Sequence, residues 1–295
     1  MRRYTYDAKN YPLSEIALKS IQKHYPDVKD LSLLHEYVPA KKIGELAKII
    51  GKDLADTNFY EIFDKLLEDY VSLGEILVQR FGNIRINIPN QDKDGTVLPF
   101  HQGQWVGNGL GLRTVWLPFT DAYDSNSLQI VNLMDSREIT SACTEWDYLR
   151  LQEECKKYCE PVNIRKGQFI LFTQEHIHGA AANRTGKTRM SVDVRLLLKD
   201  GQPHRKWPGA YFRKLHDTDI HSRKVEIKED ENVVMYAEYE GFKTRYIDLH
   251  FQTLTVKDYC NRMGYIFPHQ TGDNEGRRHT SVSYTHLTLP TNREV

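Results

Sequence analysis

Five short segments in the middle of the chain have the composition and spacing of β-strands. They are residues 84–88, 113–119, 127–131, 167–172 and 190–197. In the first, Ile84, Ile86 and Ile88 alternate with polar residues, a period of two that puts one face of a strand against a core. Turn residues separate the segments, apart from one charged helical insert at 144–158. This pattern predicts an antiparallel sandwich or barrel as the centre of the fold.

The first 80 residues have a helical pattern instead. Ile43, Leu46 and Ile50 fall at helical spacing, and a longer apolar stripe runs from Phe59 to Leu77. We expect residues 1–80 to form a helical N-terminal layer that buttresses a β core at 81–215. The predicted fold class is therefore α+β, an all-β core with a helical buttress.

Composition narrows the classes of function. Lysine and arginine number 40, as do aspartate and glutamate, so the formal net charge is zero. Balanced charge gives no basis for binding nucleic acid or an anionic membrane. No apolar run approaches the roughly 20 residues of a membrane span, and the amino terminus lacks the apolar segment of a signal peptide. The four cysteines lack paired metal-ligand spacing, which predicts reduced thiols in the cytoplasm.

Two distant histidines, His101 and His178, are the candidate metal ligands. A mononuclear non-haem iron site holds Fe(II) with two imidazoles and one carboxylate. The first histidine and the carboxylate stand two residues apart on one strand, so that both side chains point the same way. Here Gly103 stands two residues after His101, and glycine offers no donor atom. His176 competes as the second ligand, but the residues that follow His178 at a recognisable spacing favour His178.

Arg189 and Ser191 are the main candidates for binding a carboxylate ligand. Arg189 follows His178 by eleven residues on a predicted strand, and Ser191 points to the same face. A guanidinium is suited to a bidentate grip on the distal carboxylate of 2-oxoglutarate, and Ser191 could add a hydrogen bond. We assign Arg189, Ser191 and Asn183 to cofactor binding, and His101, Gly103 and His178 to the catalytic centre.

Other residues near the predicted site carry weaker functional signals. Arg85, Asn108 and Arg113 could reach an anionic ligand, but ordinary polar groups on strands and loops have the same pattern. We expect Trp105 and Trp116 to pack in the core, with substrate stacking as the alternative.

Residues 80–215 resemble the iron(II)/2-oxoglutarate-dependent oxygenases of the phytanoyl-coenzyme A hydroxylase-like superfamily. The resemblance is carried by the order and spacing of segments 100–105, 115–119, 178–183, 188–195 and 208–212. It is closest to oxygenases encoded in sporadic bacterial surface-carbohydrate gene clusters. It implies a double-stranded β-helix (a jelly roll, cupin-like), Fe(II) bound by His101 and His178, and 2-oxoglutarate held by Arg189. The implied reaction uses dioxygen and couples decarboxylation of 2-oxoglutarate to hydrogen abstraction from an unactivated C–H bond.

The chain departs from the family pattern at Gly103, where Asp or Glu is expected. In one interpretation chloride or bromide fills the metal position, because the motif resembles the His-x-Gly or His-x-Ala of iron halogenases and a halide restores the lost negative charge. In a second, the protein is a hydroxylase with water or a neighbouring side chain at that position. In a third, iron binding is lost and the domain binds a saccharide without turnover. A misread codon is a further explanation for the glycine.

The substrate is expected to be a small molecule. The carbohydrate-cluster resemblance indicates a sugar, a sugar nucleotide or a sugar-linked group, and the halogenase resemblance also allows an amino acid. The sequence indicates no oligomeric state.

The last part of the chain is interpreted separately. Residues 216–224 are polar and are expected to form a linker. Residues 225–280 have too few apolar residues to bury an independent core comfortably, and we interpret them as a truncated small segment. Within it, residues 252–260 weakly resemble part of a second small protein from the same kind of gene cluster. Residues 281–295 resemble the translation of a sequencing-library adaptor, so they are excluded as an artefact and His286 is not a ligand candidate.

Overall fold

Two antiparallel β-sheets share an apolar cluster, and helices cover the other face of the larger sheet. The computed structural model describes residues 1–90, 98–103, 108, 111–143, 146, 148–199, 201, 211–217 and 219–221, together with the backbone of three later strands. Within these residues, no helix is both long and apolar enough to cross a membrane.

The strands account for most of the described core. In chain order they are β1 (Arg2–Thr5), β2 (Ile76–Gln79), β3 (Asn83–Asn87), β4 (Leu112–Pro118), β5 (Leu128–Val131), β6 (Cys159–Pro161), β7 (Gln168–Thr173), β8 (His178–Ala180), β9 (Arg189–Leu198), β10 (Phe212–Lys214), β11 (Glu226–Glu229), β12 (Met235–Tyr239) and β13 (Phe242–Tyr246).

The larger sheet has seven strands in the order β1-β7-β4-β9-β2-β10, and β3 also pairs with β9. Strand β9 is its centre, because β4 runs along one edge of it while β2 and β3 pair with successive parts of the other. All of these pairings are antiparallel. Nine of the ten residues of β9 are buried, so both of its faces are covered.

The smaller sheet has the order β6-β5-β8. Its apolar side chains pack with Trp116 of β4 and with Ile170 and Phe172 of β7 in one cluster. The described strands of both sheets therefore form a mostly antiparallel arrangement with helices, as the alternating sequence pattern predicts. Strands β11, β12 and β13 form a separate antiparallel meander, and the helix suggested near residues 254–263 lies outside the described residues.

The helices gather mainly before the core. They are α1 (Leu13–Gln22), α2 (Leu34–Tyr37), α3 (Ile43–Asp53), α4 (Phe59–Tyr70), α5 (Leu133–Ala142) and α6 (Tyr148–Tyr158), with short 3₁₀ turns at Leu31–Leu33, Ala40–Lys42, Leu54–Asp56 and Asp124–Asn126.

The N-terminal 80 residues are not purely helical, which corrects the sequence-based expectation. Strand β1 pairs with β7 and strand β2 pairs with β9, so both belong to the larger sheet. The expected linker also packs onto the domain where it is described, since Ile220 is buried in the main core and Asp219 accepts a hydrogen bond from Arg80. Strands β1 and β2 were not predicted because a strand of four residues without clear alternation is too short to be recognised from its pattern.

Successive side chains of β9 point alternately to the two faces of the larger sheet. Met190, Val192, Val194 and Leu196 of β9 pack with the apolar faces of the helices. The residues between them on β9 point to the opposite face, because successive side chains of a strand alternate. The helical layer thus covers one face of the larger sheet and leaves the other face for the site described below.

A buried ion pair joins the helical layer to the sheet. Arg213 on β10 donates two hydrogen bonds to Asp64 on α4, at 2.5 and 2.8 Å, and both side chains are at most 2% exposed. The backbone N–H of His216 donates a further hydrogen bond to Asp64. A buried charge pair of this geometry holds its elements in register, and removal of one partner leaves the other charge desolvated.

We predict that Asp64→Asn lowers the free energy of unfolding by about 3 to 5 kcal/mol, because Arg213 then remains buried without its counter-ion. Urea denaturation followed by circular dichroism measures the change. Lys65→Ala is the matched control, since Lys65 on the same helix makes only a surface ion pair with Asp69. Equal unfolding midpoints for the two variants would contradict the assigned role of Asp64.

Candidate active site

The backbone brings His101 and His178 together. His178 begins β8, and the segment 98–101 adds to the edge of that strand through an isolated antiparallel bridge. The His101 N–H donates to the His178 carbonyl at 3.0 Å, and the His178 N–H donates to the His101 carbonyl at 2.9 Å. The two imidazole centroids lie 4.4 Å apart. Paired backbone hydrogen bonds therefore fix both rings on the same side of the small sheet.

Gly179 makes this close approach possible. A Cβ atom at position 179 would lie 3.0 Å from both the Leu98 carbonyl oxygen and the Phe100 nitrogen. The Ala180 N–H also donates to the Leu98 carbonyl at 2.8 Å. A side chain at 179 would require the backbone of the His101 segment to shift by a few tenths of an ångström, so this close approach favours glycine after His178.

Both rings offer the same free nitrogen. Nδ1 of His101 pairs with the Pro99 carbonyl and Nδ1 of His178 pairs with the His176 carbonyl, each at 2.9 Å. A carbonyl can only accept, so Nδ1 carries the hydrogen and the lone pair lies on Nε2. Nε2 of neither ring makes a hydrogen bond with the described residues. Carbonyl partners of this kind orient metal-binding histidines.

Burial keeps both imidazoles neutral. It lowers the pKa of His101 from 6.5 to about 4, with Arg85 and Arg195 contributing further. Burial also lowers the pKa of His178 well below its usual value, and the neighbouring His101 adds to this shift. A neutral imidazole is the form that binds a metal, so the pair is ready to coordinate at neutral pH.

His176, the alternative second ligand, is directed elsewhere. Its Nδ1 pairs with the Thr173 hydroxyl at 2.9 Å, and its ring lies edge-on to Phe172. Its backbone carbonyl is the acceptor that orients His178. These contacts favour His178 as the partner of His101.

The space beside Gly103 is filled by another side chain. A Cβ atom built on Gly103 would lie 1.8 Å from Oε1 of Gln174 and 3.2 Å from Nδ2 of Asn108. Gln174 follows β7, is 3% exposed, and donates from Nε2 to the Thr114 hydroxyl at 2.8 Å. Asn108 is fully buried, and neither atom of its amide has a partner among the described residues. Two buried amides therefore converge where the expected carboxylate would begin.

One face of β9 is polar although it is buried. Its four residues are Arg189, Ser191, Asp193 and Arg195, none more than 9% exposed. Buried charges are costly unless they are paired or serve a ligand. Three charged groups and one hydroxyl on the interior face of a single strand make this face the candidate ligand-binding surface.

Asp193 is the centre of a charge network on this face. It accepts hydrogen bonds from Arg85 at 2.9 Å, Asn83 at 2.7 Å and Arg195 at 3.4 Å. The arginines hold the pKa of Asp193 below its usual value, although burial opposes this shift. Asp193 acts electrostatically on both histidines, but its oxygens are engaged by the three donors.

Arg189 is buried without a carboxylate partner among the described residues. Its Nε donates to the Asn126 carbonyl at 2.9 Å, and Nη1 donates to the Ser191 hydroxyl at 3.0 Å. Burial lowers the pKa of Arg189 to about 10, with Arg85 adding to the shift, so the side chain is charged at neutral pH. Arg85 and Asp193 act electrostatically on both Arg189 and His101.

Ser191 links Arg189 to the core. Its oxygen accepts from Arg189 and from the Trp116 indole N–H at 3.1 Å. Both contacts are made to the hydroxyl oxygen, so the hydroxyl hydrogen is left to donate to a third group. Trp116 is buried in the cluster between the sheets and lies under the Arg189 guanidinium at 5.8 Å, a packing role that also orients the arginine.

Asn183 has a different role from the expected one. Its amide donates to the Asn87 and Lys187 carbonyls at 3.0 and 2.7 Å, and its oxygen accepts from Thr185. Both amide hydrogens and the oxygen are thus engaged within the chain. In this arrangement the Asn183 side chain stabilises the turn before β9.

The described part of the chain provides no aspartate or glutamate as a third metal ligand beside the two histidines. No group of three histidine, cysteine or acidic side chains there is arranged to hold a metal ion. Trp105 lies outside the described residues. Gln174 and Asp193 were missed by sequence analysis, although the alternation along β9 already placed Asp193 between Ser191 and Arg195 on one face.

The family comparison agrees with the site. Residues 51–191 match the family model described as phytanoyl-CoA dioxygenase (PhyH). This span is just under half of the chain and contains both histidines, Gly103, Arg189 and Ser191. The match supports the non-haem iron oxygenase superfamily predicted from the motifs. It does not extend to a halogenase or carbohydrate-cluster subgroup.

Solved structures give weaker likenesses. The non-haem monooxygenase ThoJ in its nickel complex is 14% identical, with a TM-score of 0.40 over 78% of this chain and 84% of that chain. The α-ketoglutarate-dependent carbocyclase SnoK from nogalamycin biosynthesis is 14% identical, with a TM-score of 0.38 over 67% and 78%. AviO1 from Streptomyces viridochromogenes is 10% identical, with a TM-score of 0.38 over 68% and 89%. At these scores the likeness carries no inference about reaction or substrate. A comparison with curated proteins gave no match.

We predict that His101→Gln flattens the pH dependence of stability of the metal-free protein. Between pH 6.5 and about 4 the unfolded chain binds a proton at His101 that the folded chain does not. Wild-type stability therefore falls as the pH is lowered through this window. In this window the slope of the free energy of unfolding against pH should be smaller in the variant by up to about 1.4 kcal/mol per pH unit, which is the contribution of one proton. Urea denaturation at several pH values measures it, and parallel curves would contradict the buried neutral imidazole.

Proposed function

We propose that this protein is an iron(II)- and 2-oxoglutarate-dependent enzyme that functionalises a C–H bond of a small molecule. The observation that carries the proposal is the pairing of two neutral imidazoles, each with Nε2 free, on the same apolar cluster as a buried arginine that lacks a carboxylate partner among the described residues. In this proposal the two sheets are the halves of a double-stranded β-helix.

The donor set fits a divalent metal. His101 and His178 would hold Fe(II) through Nε2, because Nδ1 of each ring is committed to a backbone carbonyl. Imidazole nitrogen suits iron, and a carbonyl behind each ring is the usual outer-shell partner. With 2-oxoglutarate and dioxygen, the bound iron supplies the oxidation of an unactivated C–H bond.

The charge of the site fits a dicarboxylate. The described charged groups around the polar face of β9 are Arg85, Arg189 and Arg195 against Asp193, which is three positive charges and one negative. This excess of positive charge favours an anionic ligand such as 2-oxoglutarate. Arg189 would grip the distal carboxylate, and the Ser191 hydroxyl would donate to the same group.

The protein groups also control solvent and orientation. Trp116 and Phe172 form an apolar wall beside Arg189 and His178, at 5.8 and 5.0 Å. An apolar wall strengthens the charged contacts near it and limits the access of water. A sugar, a sugar nucleotide or an amino acid is the proposed class of substrate.

We predict that Arg189→Leu weakens binding of 2-oxoglutarate about 100-fold, since about 3 kcal/mol is expected for loss of a bidentate charged contact. Isothermal calorimetry on the Co(II)-loaded protein measures the dissociation constant. Arg184→Leu is the matched control, because Arg184 is exposed in the loop before β9. Equal affinities for the two variants would remove Arg189 from the cofactor site.

Halogenation is the second candidate for the reaction. It is favoured by the absence of a carboxylate at Gly103 and by the buried Asn108 amide, whose unpartnered Nδ2 lies 3.2 Å from the Cβ position of Gly103. An amide N–H is a suitable donor to a halide, and a halide restores the negative charge that the missing carboxylate would bring.

We predict that the product carries either one added oxygen or one added chlorine, depending on what fills the third metal position. The protein is reconstituted anaerobically with Fe(II), 2-oxoglutarate and chloride, and candidate substrates are then exposed to dioxygen. Mass spectrometry distinguishes the two outcomes by the chlorine isotope pattern. Calorimetry that gives saccharide affinity but no affinity for Fe(II) or 2-oxoglutarate would instead support a binding domain without turnover.

A further inference from the structure

We propose that Gln174 replaces the missing carboxylate and that its side-chain oxygen is the third protein donor of the metal site. The inference rests on the proposed function, because it assumes that His101 and His178 bind a metal. It assigns a ligand role to a residue that no metal-binding motif in the sequence includes.

Gln174 occupies the place from which a side chain at 103 would extend. Its Oε1 lies 1.8 Å, and its Cδ 2.8 Å, from the Cβ position of Gly103. Contacts below 3.0 Å are not made by real Cβ atoms, so a side chain at 103 would displace the Gln174 amide from this position. Gly103 therefore both lacks a carboxylate and leaves room for the Gln174 amide.

The amide of Gln174 is held with its oxygen toward Gly103. Nε2 donates to the Thr114 hydroxyl on β4 at 2.8 Å, and Thr114 is itself buried. Oε1 accepts no hydrogen bond from the described residues. The side chain is only 3% exposed, and both lone pairs of this oxygen are available to a ligand.

The chemistry of an amide oxygen suits this role. Side-chain and backbone carbonyl oxygens are established donors to divalent cations. Gln174 follows β7 and precedes His178 by four residues, so the turn that delivers the second histidine also delivers the oxygen. A protein oxygen at the third position leaves no need for halide there, so this inference favours oxygenation over halogenation.

The test measures metal binding directly. Co(II) is titrated into the metal-free full-length protein, and both affinity and the visible absorption of Co(II), which depends on coordination number and donors, are recorded. Gln174→Met keeps the length and packing of the side chain but removes the oxygen. We expect affinity to fall about 10- to 100-fold and the spectrum to become sensitive to added chloride, whereas the wild-type spectrum is insensitive to chloride. The magnitude follows losses seen when single groups of a metal site are removed.

Gln168→Met is the matched control. Gln168 lies at the opposite end of β7 from Gln174, and its Nε2 also donates to a threonine hydroxyl, that of Thr5, which is outside the site. Affinity and spectrum should match the wild type. Gln174→Glu adds the reciprocal test, because a carboxylate of the same length should tighten Co(II) binding at least tenfold.

Coupling between the two positions is tested by a double variant. Gly103→Asp alone should weaken Co(II) binding, since its Cβ collides with Gln174. Gly103→Asp combined with Gln174→Ala makes room for the carboxylate and should restore binding. This reversal would show that the two side chains compete for one space, and the ligand role itself is decided by Gln174→Met and Gln174→Glu.

The outcomes separate the inference from the proposed function. If the wild type binds Co(II) and Gln174→Met matches it in affinity and spectrum, the ligand role of Gln174 is overturned while the two-histidine site stands. If the wild type binds no Co(II), both the metal site and the role of Gln174 fall. Circular dichroism of each variant identifies loss of binding that is due to misfolding, and in that case Gln174→Glu decides.

Discussion

The structure depends most on how the charges along the inner face of β9 are satisfied. Arg189, Ser191, Asp193 and Arg195 are buried on a strand whose opposite face forms part of the main core. A desolvated charge must be paired or must await a ligand. Asp193 neutralises only part of this positive charge, and in the proposed function an anionic cofactor would complete the balance. Because β9 is at the centre of the larger sheet, these charged residues lie in the middle of the domain.

The second part of the site, the pair of His101 and His178, belongs to the smaller sheet. Its geometry comes from backbone pairing between the segment 98–101 and β8, which the absence of a side chain at Gly179 permits. The carbonyls of Pro99 and His176 then select one tautomer for both rings. Two sheets that meet in one apolar cluster therefore bring together the two candidate metal ligands and Arg189, the candidate carboxylate-binding residue. The combination favours a redox enzyme over a passive binding domain.

Local pattern predicted much of the fold. The alternation at 84–88 became β3, and the apolar segments at 113–119 and 167–172 became β4 and β7 with shifts of one residue at most. The helical stripe after Phe59 ended at Tyr70, however, and the chain then formed β2. The strands β1 and β2 were missed because each is only four residues long and gains its stability from distant partners. Short-range periodicity carries no information about such pairing.

The sequence by itself determined the two histidines, Arg189, Ser191 and the missing carboxylate at Gly103, because strand periodicity fixes which residues share a face. Only the tertiary structure decided that Asn183 is engaged within its own turn, that Asp193 organises the arginines, and that Gln174 fills the space beside Gly103. These are contacts between segments far apart in the chain. They depend on the order of strands and the closeness of their backbones, which no local pattern of residues specifies.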